Sequence, residues 1–172
     1  MVITTVATST FLLGGRDTAG NNELERQAEL WAHQRLMRVR KNAAPPPFST
    51  DGCSGGMSAL WQSMGDTFPA LTDSIGARPP WEQCCVTHDK AYFDAADTTD
   101  ADKSFQARLA ADQILSSCVS NYGNQEAAQI KREYQLLADM MYSAVRLGGA
   151  PCSGLPWRWG YGLPNCHIGS NQ

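Results

Sequence analysis

The chain has 172 residues, of which 42% are hydrophobic and 18% charged, with a formal net charge of −3. That length supports one domain with its own core and leaves little room for a second. The balance excludes a largely disordered chain, and the lack of a basic excess argues against a nucleic-acid partner.

Residues 1–15 are mildly apolar, and no Lys or Arg precedes Arg16. A signal peptide needs a positive start and a longer apolar stretch. The segment therefore reads either as the start of a chain whose signal has been removed or as a disordered tail. The first helix is expected over 22–41, opened by Asn22 and Glu25 as a capping box. Leu24, Ala28, Trp31, Leu36 and Val39 form its apolar stripe. Arg35, Arg38, Arg40 and Lys41 crowd its end, as a solvated terminus matched to the helix dipole or as a membrane contact. Pro45-Pro46-Pro47 then makes a stiff linker. These features divide the chain into an N-terminal tail, amphipathic helix and linker (1–47) and a main unit (48–172).

A loop bearing Gly and Cys comes next, Asp51-Gly52-Cys53-Ser54-Gly55-Gly56, then an irregular stretch over 59–79. The second helix starts near Pro80 and runs to about Ala95. Asp94, Asp97, Asp100 and Asp102 read as caps and solvated acids, with a second metal site as the sharper alternative. Thr99 and Asp102 offer a capping box for a third helix over 100–120. Asn124 offers a cap for a fourth over 125–147, closed by Gly148-Gly149. The stripe Ile130, Tyr134, Leu137, Met141 and Val145 reads as core. In the tail, Trp157, Trp159 and Tyr161 suit either a lipid surface or packing around a Cys152–Cys166 disulfide. His33 and His167 receive no role. No strand pattern and no internal repeat is visible, so the fold class is all-α.

Six cysteines at uneven spacing point to three disulfides and an oxidising, extracellular compartment. A zinc site is disfavoured, because the chain has no C-x-x-C pair and only three histidines.

The chemistry concentrates in Cys84-Cys85-Val86-Thr87-His88-Asp89-Lys90-Ala91-Tyr92. On a helix, Cys85, His88 and Tyr92 share a face. Adjacent cysteines do not readily bond each other, so Cys84 and Cys85 must reach different elements. If the second and third helices pack antiparallel, facing positions have nearly constant totals. One such register pairs Cys84 with Cys118 and His88 with Asp112, which makes Asp112 the group that orients the imidazole. Calcium takes hard oxygen ligands, backbone carbonyls included. A Cys53–Cys85 disulfide would bring the loop carbonyls near Asp89 to complete such a site.

C-C-x-x-H-D-x-x-Y after a Gly-rich, Cys-bearing loop resembles secreted phospholipase A2. The resemblance covers about 48–118 and is most specific at 84–92. It implies a helical, disulfide-bonded, calcium-dependent enzyme that cleaves the sn-2 ester of glycerophospholipids. It implies His88 as general base, Asp112 as the aspartate behind it and Tyr92 as that aspartate's hydrogen-bond partner. Calcium would be held by Asp89 and the carbonyls of Gly52, Ser54 and Gly56, with the Ser54 N–H facing the oxyanion. Two antiparallel, disulfide-linked helices would form the core, with a Gly-rich calcium loop and flanking helices.

Ser54 departs from the family's usual Gly, Ala91 stands where many members carry Cys, and 57–80 is an insertion. Only 23 residues, 89–111, separate His88 from Asp112, which leaves no room for a β-wing and is similar to the compact bacterial and fungal branch. The expected partner is a phospholipid membrane or micelle surface bound peripherally, by a secreted monomer. The alternatives are a non-enzymatic binding or toxin module on the same scaffold, and a hydrolase of another lipid ester.

Overall fold

The structure is a computed structural model and describes residues 17–54 and 79–166. The described residues form helices and no strand: α1 (Asp17–Arg40), α2 (Glu82–Phe93), α3 (Ala101–Tyr122) and α4 (Ala128–Gly148). Short 3-10 turns lie at Gly52–Ser54, Ala95–Asp97 and Gly123–Gln125. None of the described helices is long and apolar enough to cross a membrane.

The expected helices are present, but their starts differ. α1 begins at Asp17, so Asn22 lies inside the helix rather than at its start. α3 is capped by Asp100 rather than Thr99: the Asp100 carboxylate accepts the Lys103 N–H at 2.8 Å. Thr98 accepts the Asp100 N–H instead. Asn124 falls in a 3-10 turn, where its side-chain amide bonds Asn121, and α4 starts after Ala127 with no side-chain cap.

The buried face of α1 also differs from its expected stripe. Leu24 and Trp31 are exposed, and the covered residues are Ala32, His33, Leu36, Met37 and Arg40. Apolar spacing misplaced this face because two of its members are polar side chains that find partners inside. Arg40 takes the Asp94 carbonyl and the Asp97 carboxylate. It thereby ties α1 to a turn in which Ala95, Ala96 and Asp97 all have positive φ. Such a conformation costs about 1–2 kcal/mol per residue with a side chain. Arg35 stays outside, 5.0 Å from the Trp31 ring centroid.

α3 is the element against which α1, α2 and α4 all pack. One core joins α2, α3 and α4 through Trp81, Leu115, Val119, Tyr134, Leu137 and Met141. Ile130 completes the α4 stripe from the edge of this core. A second core joins α1 to α2, α3 and the tail through Leu36, Met37, Tyr92, Ala111, Trp159 and Leu163. α1 therefore shares its interior with residues of 79–166.

Three disulfides link Cys53 to Cys85, Cys84 to Cys118 and Cys152 to Cys166, with Cα–Cα distances of 5.2, 5.8 and 4.7 Å. Cys84 and Cys85 thus reach α3 and the loop before α2. The tail closed by the third bond caps α2: Gly160 N–H and Gly162 N–H donate to the Tyr92 and Phe93 carbonyls at 2.7 and 2.9 Å. These carbonyls would otherwise be left without helical partners.

Candidate functional site

α2 carries His88, Asp89 and Tyr92, and the His88 and Tyr92 rings lie 4.1 Å apart by centroid. His88 Nε2 is 2.9 Å from Oδ1 of Asp112 on α3, and the Tyr92 hydroxyl donates to that same oxygen at 2.6 Å. Asp112 is wholly buried. A carboxylate there accepts, so the imidazole proton sits on Nε2 and Nδ1 keeps its lone pair. Burial holds the Tyr92 phenol well above its ordinary range; Arg108 opposes this and Asp112 adds to it. Tyr92 is therefore a neutral donor. From Cys84–Cys118 through His88–Asp112 to Tyr92–Arg108, positions rise along α2 as they fall along α3.

The Cys53–Cys85 bond brings the loop against α2. Thr50 donates its hydroxyl proton to Oδ2 of Asp89 and accepts the Gly52 N–H at 2.9 Å. Gly52 has φ +67°, and a Cβ built on it would lie 2.9 Å from Oε1 of Glu82. The positive φ is what favours glycine here, since the Glu82 carboxylate is the end of a flexible side chain. Burial raises the Asp89 carboxyl; Thr50 and His88 oppose it, and the neighbouring Asp51 charge adds to it. Among the described residues no Lys or Arg pairs with Asp89, and no group of three His, Cys, Asp or Glu side chains is gathered for a metal ion. A cation held here would need backbone oxygens beside Asp89. Gly56 lies outside the described residues, and Ser54 is described only as the last residue of its 3-10 turn.

These two groups meet at a cavity of about 550 Å³ lined by His88, Asp89 and the loop from Ser49 to Cys53. That volume suits a small organic ligand. The facing wall is apolar: Leu115 from α3, Met141, Ala144 and Val145 from α4, and Pro156 and Trp157 from the tail. Gly149 lets the end of α4 approach α2, since a Cβ there would lie 2.5 Å from the Val145 carbonyl and 2.8 Å from Cε1 of Tyr92. Tyr161 also lines the cavity and donates to the Ser49 carbonyl at 2.9 Å. Burial, with the charges of Asp89 and Asp51, keeps its phenol protonated. Trp159 instead fills the second core, so the tail aromatics divide between core and cavity.

No protein-family model matches the chain, and neither a curated protein nor a solved structure matches it.

A buried ionic group stands behind Asp112, and no sequence motif announced it. Arg146 donates to the second oxygen, Oδ2, at 3.0 Å and also pairs with Oε2 of Glu29 on α1. Arg108, fully buried, donates to Tyr92 Oη at 3.1 Å, to Oε1 of Glu29, and to the Val145 and Arg146 carbonyls. Burial alone would raise Glu29; the His33 hydrogen bond and the charges of Arg108 and Arg146 outweigh it and bring the carboxyl down to about 2. His33 is lowered, chiefly by burial against the pull of Glu29. The only trace in sequence was the i, i+4 spacing of Glu29–His33 and Arg108–Asp112.

Three of the four acids between Asp94 and Asp102 have structural partners, and Asp94 contributes its backbone carbonyl to Arg40. Asp100 caps α3, Asp97 pairs with Arg40 and Asp102 faces Arg26 at 3.4 Å. His167 lies outside the described residues.

Proposed function

We propose that this chain is a calcium-dependent hydrolase of phospholipid acyl esters, working as a secreted phospholipase A2 works, with α2 and α3 as its antiparallel, disulfide-linked core. The observation that carries the reading is the His88–Asp112 pair, 2.9 Å apart, at the wall of an apolar cavity whose rim holds Asp89. A histidine placed only for packing would not need a buried acid behind it and a second carboxylate beside it.

In this mechanism His88 takes a proton from water at Nδ1, and that water's oxygen attacks the ester carbonyl carbon. Asp112 keeps the ring in the right tautomer and balances the imidazolium. The imidazolium then returns its proton to the departing alkoxide oxygen as the carbon–oxygen bond breaks, which leaves a fatty acid and a lysophospholipid. The Ser54 N–H is the proposed donor to the developing oxyanion. The cavity wall of Leu115, Met141, Val145 and Trp157 supports a substrate with an acyl chain.

The donor set suits calcium: a half-buried Asp89 carboxylate without a cationic partner among the described residues, Asp51 next to it, and the loop carbonyls of Gly52 and Ser54, with Gly56 as a further proposed ligand. When bound, calcium supplies positive charge to the ester carbonyl and to the lipid phosphate.

The test is fatty acid release from phospholipid vesicles, with calcium and then with a chelator. Release that needs calcium and disappears in His88→Ala supports the reading. Equal release under both conditions contradicts the calcium role, and full activity in His88→Ala contradicts the base.

A further inference from the structure

We propose that Arg146 is a positioning residue for the His88–Asp112 pair and that Glu29, on α1, holds Arg146 in place, so that the N-terminal helix belongs to the catalytic unit. This rests on the hydrolase reading and names residues that reading does not need.

The two oxygens of Asp112 carry unequal loads. Oδ1 accepts from both His88 and Tyr92, whereas Oδ2 has one hydrogen-bond donor, Arg146, at 3.0 Å. Arg108 Nε stands 3.9 Å from Oδ2, beyond hydrogen-bond reach. Arg146 therefore fixes the rotation of the carboxylate, and with it the direction in which Oδ1 holds the imidazole. Without Arg146 a fully buried oxygen loses its partner and the carboxylate turns to find another.

Arg146 is the most exposed member of this group, 21% against 0% for Arg108 and Asp112. It sits at the end of α4 and needs an anchor. Glu29 supplies one by taking Arg146 on Oε2 and Arg108 on Oε1. Glu29 is braced in turn by a chain of hydrogen bonds satisfied by one tautomer of His33. Trp159 Nε1–H donates to Ser104 Oγ at 2.9 Å, Ser104 donates to His33 Nδ1 at 2.8 Å, and His33 Nε2–H donates to Oε1 of Glu29 at 3.3 Å. Donors and acceptors run in one direction from the tail, through α3 and α1, to Glu29, and Arg146 donates to both Glu29 and the acid behind His88. Charge closes as well, with two carboxylates facing two guanidiniums.

The experiment compares wild type with Arg146→Met, Arg146→Lys, Glu29→Gln and Arg40→Ala. Two readouts are taken on folded protein: kcat and KM on phospholipid, and the low-field proton resonance of the His88–Asp112 hydrogen bond. Misplacing a catalytic group by about 1 Å costs on the order of 10²-fold in rate. Arg146→Met is therefore expected to lose about 10²-fold in kcat with KM nearly unchanged, and to broaden or shift the resonance. Arg146→Lys keeps one donor and should recover part of both. Glu29→Gln should fall between them. Arg40→Ala removes a buried arginine of α1 that does not touch Asp112 and should lower Tm without changing the resonance or kcat. Wild-type kcat and an unchanged resonance in Arg146→Met overturn the proposal; if that variant does not fold, the same result in Arg146→Lys and Glu29→Gln overturns it. A wild-type protein that hydrolyses no ester overturns the hydrolase reading alone, and the resonance then still decides whether Arg146 positions the pair.

Discussion

His88 meets Asp112 through Nε2, which leaves Nδ1 as the nitrogen that the proposed mechanism uses. The contact spans two helices tied by the Cys84–Cys118 disulfide, and the acid is shielded completely from solvent. Replacing Asp112 by Asn keeps the shape but lets the ring adopt the other tautomer. Asp112→Asn is expected to lower kcat by about 10⁴-fold, in line with orienting acids elsewhere. Steady-state kinetics on a soluble ester and on vesicles would measure it, and a loss under tenfold would count against Asp112 as the orienting group. Because the variant leaves Arg108 and Arg146 facing one acid fewer, it should also lose about 3–5 kcal/mol of stability.

Tyr92 shares Oδ1 with His88 and accepts from Arg108. Tyr92→Phe removes one donor and leaves the Arg108 Nε–H unpartnered. A stability loss of about 1–3 kcal/mol is expected by denaturant titration, with a smaller kinetic defect than Asp112→Asn.

Calcium should stabilise the folded chain, because a ligand that binds only the native state adds RT ln(1 + [L]/Kd). At a hundredfold excess over Kd this is about 2.7 kcal/mol, or roughly 5–10 °C in Tm for a chain of this size. Asp89→Asn should abolish the calcium-dependent rise while leaving the metal-free protein folded. A rise of wild-type size in that variant would remove Asp89 from the site.

Glu29 gives an acid-stability signature. Its folded carboxyl lies at about 2, below the ordinary 4.5. Its contribution is therefore fully present above about pH 4.5 and is lost as pH falls toward 2. Glu29→Gln has no proton to exchange there, so its unfolding free energy should fall less steeply across that window. Parallel wild-type and mutant curves would contradict the burial of Glu29 between two arginines.

The Cys152–Cys166 bond closes a loop with a sequence separation of 14 residues. Replacing both cysteines by Ala is expected to cost about 3 kcal/mol on the chain-entropy model. The tail that caps α2 and supplies Trp157 and Tyr161 to the cavity should loosen, seen as faster amide exchange at Gly160 and Gly162.

Much of this was legible in the sequence because its signals are local. The α4 stripe obeys helical period, and the motif at 84–92 places His88, Asp89 and Tyr92 on one helix without tertiary information. The pairing of His88 with Asp112 came from one register shared with a cysteine pair. What stayed hidden depends on long-range partners. Arg146 and Arg108 look like solvated helix charges until Glu29 arrives from α1, far away in sequence. His33 and Arg40 broke the apolar pattern of α1 because a buried polar residue is recognisable only once its partner is known. The cap expected at Thr99 failed because Asp100 takes that role one position later, and the one at Asn124 failed because that residue sits in a 3-10 turn, bonded to Asn121, before α4 begins. Gly56 and the 57–78 stretch fall outside the described residues, so their expected part in the calcium loop and the insertion remains a proposal.

The most direct test is positional analysis of the products from a phospholipid labelled separately at its two acyl chains. Calcium-dependent release of the sn-2 chain with matching lysophospholipid is the expected result. Release of the other chain, release undiminished by chelator, or none at all from folded, disulfide-intact protein would contradict it.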